Sequence, residues 1–124
     1  MDRKALTARL DELPYDRNEY WLAAGGAMVF YGFRDETGDV DLGCTKKMAD
    51  ELEAAGCPVK LLPDGTRKLS PAEDVEIFEE WISDRVEMHE GVPVVSVKGL
   101  IEMKRALGRE KDLRDIRLIK KGDG

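Results

Sequence analysis

A single histidine, His89, and two cysteines are all this chain of 124 residues offers to soft-metal chemistry. Zinc sites need several Cys or His ligands at short spacings, and Cys44 and Cys57 form no CxxC pair. Neither a zinc site nor a histidine-based catalytic triad is expected around this single imidazole, and a histidine on a charged strand is expected to face solvent. Aromatic residues make up only 6% of the chain. No apolar run approaches the roughly 18 residues that cross a bilayer, and Met-Asp-Arg-Lys-Ala-Leu lacks a signal-peptide core. The expectation is a cytoplasmic protein with no membrane partner. There is no internal repeat, low-complexity tract or long linker, so residues 1–124 are read as one domain.

Charge is what the chain has in abundance: 37% of residues are Asp, Glu, Lys or Arg, with a net charge of −6. It is unevenly distributed. Residues 98–121 hold nine Lys/Arg against four Asp/Glu, while the remainder holds eleven against twenty-two. A basic segment beside an acidic body can steer a polyphosphate toward metal-binding carboxylates. The same charges also suit an ordinary solvated, salt-bridged helix face.

Periodicity and turn residues lay out the elements. Leu6, Leu10 and Leu13 predict a helix over 2–13 that stops before Pro14. A strand is expected at Tyr20–Ala24, a turn at Gly25-Gly26, a helix at Ala27–Gly32 and a strand at Asp39–Gly43. Thr45 is placed to cap a helix over Lys46–Ala55, which Gly56 ends. Val59–Leu62 and Arg67–Leu69 read as a hairpin around Pro63-Asp64-Gly65. Further strands are expected at Asp74–Phe78, Arg85–His89 and Val92–Val95, then helices over Val97–Leu107 and Glu110–Lys120, with frayed residues 122–124. The sum is an α/β (α+β) fold with a mixed sheet flanked by helices.

Asp39-Val40-Asp41 carries the chemistry. On a strand, residues i and i+2 share a face with Cα atoms roughly 6.5–7 Å apart, so both carboxylates would point one way while Val40 and Leu42 enter the core. Aspartate is depleted in strands, and a divalent cation bound against a triphosphate is a reason for two on one face. Gly25-Gly26 at a helix mouth would offer backbone N–H groups to phosphate. Arg34 and Thr37 follow within reach, although Arg34 can equally pair with Asp35 or Glu36. Glu76 is the candidate third carboxylate, as metal ligand or as base for an acceptor hydroxyl, with Asp74 on the same face as its competitor. Leu100, Met103 and Leu107, then Leu113 and Ile116, are expected as buried stripes. That leaves Lys104, Arg109 and Lys111 to converge on phosphates, with Asp112 and Asp115 holding these cations or capping the second helix.

Together the two clusters resemble the nucleotidyltransferase superfamily related to DNA polymerase beta, nearest to the branch of AbiEii-type toxins and similar small bacterial proteins. Members carry a Gly-Gly or Gly-Ser turn, then Arg-x-Thr/Ser-x-Asp-x-Asp. Near the end, a Lys-x-x-Ala segment leads into Arg-x-Lys-Asp-x-x-Asp. This chain has Gly25-Gly26, Arg34-Asp-Glu-Thr37-Gly-Asp39-Val-Asp41 with one extra residue, and Lys104-Arg-Ala-Leu-Gly-Arg109-Glu-Lys111-Asp112-Leu-Arg-Asp115. The resemblance implies Asp39 and Asp41 as ligands of Mg2+ (or Mn2+). It also implies Gly25, Gly26 and Arg34 near a nucleoside triphosphate, and Lys104 and Asp112 as active-site support. An RNA, protein or small-molecule acceptor and a cognate antitoxin partner are implied in the same way. The chain departs from the pattern in having Gly26 where many members have serine, and Glu76 where aspartate is usual. It also lacks the extra helical domain of larger members.

Overall fold

Local signals decide where most elements begin and stop. The computed structural model describes residues 1–122. In chain order these form α1 (Arg3–Glu12), β1 (Tyr20–Leu22), α2 (Ala24–Phe30), β2 (Val40–Cys44), α3 (Lys46–Ala54), β3 (Val59–Leu61), β4 (Arg67–Ala72), β5 (Val75–Glu79), β6 (Val86–His89), β7 (Val92–Val95), α4 (Val97–Leu107) and α5 (Glu110–Gly122). Asp2, Thr45 and Ser96 cap α1, α3 and α4 by accepting from the N–H of Ala5, Met48 and Gly99, satisfying donors that a helix start leaves unpaired. Gly108, in the left-handed region at φ 64°, ends α4. Gly122, expected to fray, lies within α5, while residues 123–124 lie outside the described residues.

The strands form one mixed sheet in the order β3-β4-β5-β2-β1-β7-β6. β2 runs parallel to β5 and β1 parallel to β7, and the other neighbours are antiparallel. This is the mixed sheet with helices that the sequence predicts. Its pleat sorts the chemistry. Tyr20, Leu22, Val40, Leu42, Leu69, Val75 and Ile77 are essentially fully buried on one face, each aliphatic contributing about 1.5–3 kcal/mol. Asp41 and Glu76 sit opposite one another on the other face.

Two expectations need correction. The helix after β1 begins at Ala24, so Gly25 and Gly26 lie inside its first turn rather than ahead of it. Ala23 is extended and Ala24, at φ 50°, makes the turn. The glycines serve packing: a Cβ on Gly25 would lie 2.5 Å from Thr37 Oγ1, and one on Gly26 would lie 2.6 Å from Leu22 Cδ1. The second correction concerns Leu107 and Leu113, which are 45% and 44% exposed. The buried face of α5 is Asp112, Asp115, Ile116 and Ile119, a helical stripe in which two acids stand where leucine spacing predicted apolar contact.

On the sheet, Arg67 of β4 grips Glu79 of β5 with Nη2 to Oε2 at 2.7 Å and Nε to Oε1 at 3.1 Å, and reaches Asp50 of α3 at 2.7 Å. These hydrogen bonds hold the Glu79 carboxyl below its ordinary 4.5. A lowered folded value means the stabilisation is complete above the unfolded value and is lost as pH falls through the folded one. Urea unfolding of the parent and Glu79→Gln should therefore show a stability gap at about pH 7 that narrows by about pH 3.

Candidate active site

Parallel pairing of β2 with β5 places Asp41 directly across from Glu76. Asp39 stands exposed in the bend just before β2. Burial, followed by the negative charges of Asp39 and Glu76, pushes the Asp41 carboxyl above the ordinary carboxylate range, and Lys111 and Lys104 draw it partly back. Asp74 does not compete for this site. Arg9 of α1 holds it bidentately, Nε at 2.8 Å and Nη2 at 3.0 Å. Glu76 accepts from Ser70 Oγ at 2.6 Å and lies 3.7 Å from Lys68.

Among the described residues, no group of three His, Cys, Asp or Glu side chains stands close enough to bind a metal as arranged. What fits is donor type and charge: all-oxygen ligands suit Mg2+ or Mn2+. A partly buried carboxylate crowded by two others is also the electrostatic situation a cation relieves.

Facing Asp41 across a cleft is a layered ion network. Lys104 of α4 is almost wholly buried, its Nζ 2.9 Å from Asp115 Oδ2 and 3.9 Å from Asp112 Oδ1. Asp115 also accepts from Arg34 Nη2 at 2.7 Å. Arg109 donates to Asp112 through Nε at 2.6 Å, Nη2 at 3.2 Å and its own backbone N–H at 3.2 Å, so Asp112 caps α5 from within its first turn. Burial would raise the Asp112 carboxyl, but Arg109 outweighs it and the net shift is downward. Asp112 and Asp115 thus hold Lys104 and Arg109, and Asp112 also caps the helix, so both of the roles expected for them occur. Lys111 has no ion-pair partner among the described residues and faces Asp41.

The cleft has a volume of about 590 Å³. Asp41, Lys104, Arg109, Lys111 and Asp112 line its polar end. Gly25, Gly26, Arg34 and Thr37 do not line it; Ala24 does. Thr37 packs on Gly25 and donates to Asp39 O at 3.4 Å, while Arg34 lies over Gly25 on its way to Asp115. These four brace the wall behind the acids.

The cleft's other end is a feature the sequence reading missed. Phe78 and Trp81 meet at 5.0 Å between ring centroids, and both line the cleft with Ile82 and Leu62. The indole of Trp21 donates to the Trp81 carbonyl at 2.8 Å. This bond passes over Gly43, two residues beyond Asp41. A Cβ there would lie 2.5 Å from Trp81 O and nearer still to Trp21 Nε1. Gly43→Ala should therefore displace Trp81 and cost about 1–3 kcal/mol, read as a lower urea midpoint with altered tryptophan emission. Gly43 after Asp-Val-Asp-Leu was the available signal, but its partners are remote in sequence.

No protein-family model matches the sequence, and no curated protein is similar enough to count as a match. Solved structures do match. ANT(2″)-Ia, crystallised in complex with adenylyl-2″-tobramycin, superposes with a TM-score of 0.56 at 20% identity, over 96% of this chain and 86% of that one. The lincosamide antibiotic adenylyltransferase LnuA, with lincomycin bound, gives 0.53 at 15% identity, over 82% of this chain and 85% of that one. This chain has the nucleotidyltransferase fold.

Proposed function

We propose that this protein is a nucleotidyltransferase that moves a nucleoside monophosphate from a triphosphate to the hydroxyl of a small-molecule acceptor. One observation carries the reading: Asp41 shares the lining of a single cleft with Lys104, Arg109 and Lys111, while Glu76, its partner across the strands, and Asp39 stand next to it outside that lining. Lys111 and Arg109 bind the triphosphate, and Lys104, locked by Asp112 and Asp115, keeps its ammonium at the same wall. Asp39, Asp41 and Glu76 would hold Mg2+ or Mn2+, which supplies charge neutralisation at the reacting phosphate. The acceptor oxygen forms a bond to the α-phosphorus as the bond to pyrophosphate breaks, and the hydroxyl proton passes to Glu76.

The small-molecule acceptor is supported by the two neighbours, whose structures hold an adenylylated aminoglycoside and a lincosamide, and by a cleft sized for such a ligand. An RNA or protein acceptor, a cognate antitoxin and a toxin–antitoxin setting rest on the sequence resemblance alone. A second reading, a module that binds triphosphate without transferring it, is favoured by the engagement of Glu76 with Ser70 and Lys68. The test uses the full chain, magnesium, labelled triphosphates and a panel of hydroxylated small molecules, with Asp39→Ala plus Asp41→Ala as control. Labelled acceptor and released pyrophosphate are expected from the parent only. Triphosphate binding with no labelled product favours the second reading, and equal labelling by both proteins removes these carboxylates from the chemistry.

A further inference from the structure

The polar end of the cleft is matched to a triphosphate, which leaves its aromatic end to be explained. Phe78 lies two residues beyond Glu76 on β5, and Gly43 two beyond Asp41 on β2. The Cα atoms of Phe78 and Glu76, and those of Gly43 and Asp41, are therefore about 6.5–7 Å apart on one face, which sets the aromatic end of the cleft beside Asp41. Trp81 is fixed for contact through the Trp21 indole. The acids at this end are not equivalent. Glu79 is neutralised by Arg67 at 2.7 Å, whereas the neighbouring Glu80 has no ion-pair partner among the described residues and lines the cleft. Its backbone sits at φ 53°, where a residue other than glycine is unfavourable. Asp64, on the β3–β4 loop, adds negative charge to the cleft lining.

We propose that this end is the acceptor subsite and that it takes a hydroxyl-bearing ring carrying a protonated amine, the ring lying on Trp81 and Phe78 and the ammonium meeting Glu80. An anionic acceptor is repelled there by Glu80 and Asp64. A neutral ring gains only the apolar contact, whereas a cation gains both the carboxylate and the aromatic face. The inference rests on the nucleotidyl-transfer reading for what happens to the bound ring, but the subsite's selectivity can be measured without any transfer.

The chain's two tryptophans are Trp21 and Trp81, so indole emission reports this platform directly. Full-length protein is titrated without nucleotide, first with streptamine, a diamino cyclitol, and then with inositol, its neutral counterpart. Streptamine is expected to change the emission saturably, and inositol to bind at least about tenfold more weakly. Glu80→Gln should weaken streptamine by about 10- to 100-fold and leave inositol unchanged. Glu80→Gly guards against a folding artefact, because glycine accepts the left-handed backbone. Its melting temperature should hold or rise while amine selectivity disappears. Equal binding of the two cyclitols, unchanged streptamine binding by either Glu80 variant, or a nucleoside triphosphate quenching Trp81 in competition with streptamine would each overturn the assignment. Pyrophosphate release from labelled triphosphate, measured separately, reports on the transfer reading independently of these outcomes.

Discussion

Asp41→Asn is expected to lower nucleotidyl transfer by about 10³-fold or more while raising the melting temperature in chelating buffer. The loss follows from the size of the interaction removed. Charge stabilisation by a bound cation is worth several kcal/mol in such transfers, and about 1.36 kcal/mol is tenfold in rate. The gain in stability follows from the electrostatics of the ligand-free site. Burial and the charges of Asp39 and Glu76 both oppose ionised Asp41, so a neutral amide of the same shape relieves desolvation and repulsion together. The sign is fixed: a carboxyl whose folded value is raised gives its full stabilisation below the unfolded value and loses it as pH rises through the folded one. At neutral pH it therefore counts against the fold. Added magnesium should raise the melting temperature of the parent and leave that of Asp41→Asn where it was. Thermal melts with chelator and with magnesium, beside a label-transfer assay, check both halves. A variant that melts lower than the parent in chelator would make Asp41 a structural carboxylate instead.

What was legible in the sequence was local. Thr45 is a cap wherever α3 lies in the fold, and Asp39-Val40-Asp41 alternates with Leu42 whatever strand pairs beside it, so the helix and the facing of Asp41 followed from a few consecutive residues. Gly108 and the charged run after it likewise gave α4 and α5 to within two residues. In α5 the expected stripe of Leu113 and Ile116 is buried only at Ile116, because Asp112 and Asp115, expected to hold cations or cap the helix, do so from its buried face. They are buried, and Lys104 and Arg34 on other parts of the chain, with Arg109 just ahead of α5, make that tolerable. The glycine pair was given a turning role because helix starts so often use one, when Ala24 turns the chain and the glycines admit Thr37 and Leu22. The aromatic end of the cleft needed contacts that no window spans, Trp21 to Trp81 and both over Gly43, although Phe78 and Trp81 themselves are three residues apart. Pairing of Asp41 with Glu76 is of the same kind, since a parallel partner cannot be read from the alternation of either strand alone.

Asp115→Ala should be among the most damaging single substitutions in the chain, at about 3–5 kcal/mol. That corresponds to a fall of about 12–20 °C in melting temperature for a domain this size. Among the described residues the carboxylate is the only ion-pair partner within 3 Å of the Lys104 ammonium, itself 7% exposed. Its removal leaves a buried cation with Asp112 at 3.9 Å, and Asp112 is already committed to Arg109. Arg34 loses its partner too, but at 35% exposure it can turn to water. The cost is therefore chiefly a stranded lysine, which makes a compensating change predictable. Adding Lys104→Met to Asp115→Ala removes the unpaired charge while keeping most of its apolar stem, and should recover more than half of the lost stability. Urea unfolding of the parent, both single variants and the double variant measures this coupling directly. Transfer activity is expected to follow a different course. It falls in Asp115→Ala because Lys104 is no longer held, and it stays low in the refolded double variant because the cation itself has gone. Recovery of both together would mean that this lysine supports only the packing of α4 against α5, and that the triphosphate is gripped by Arg109 and Lys111 without it.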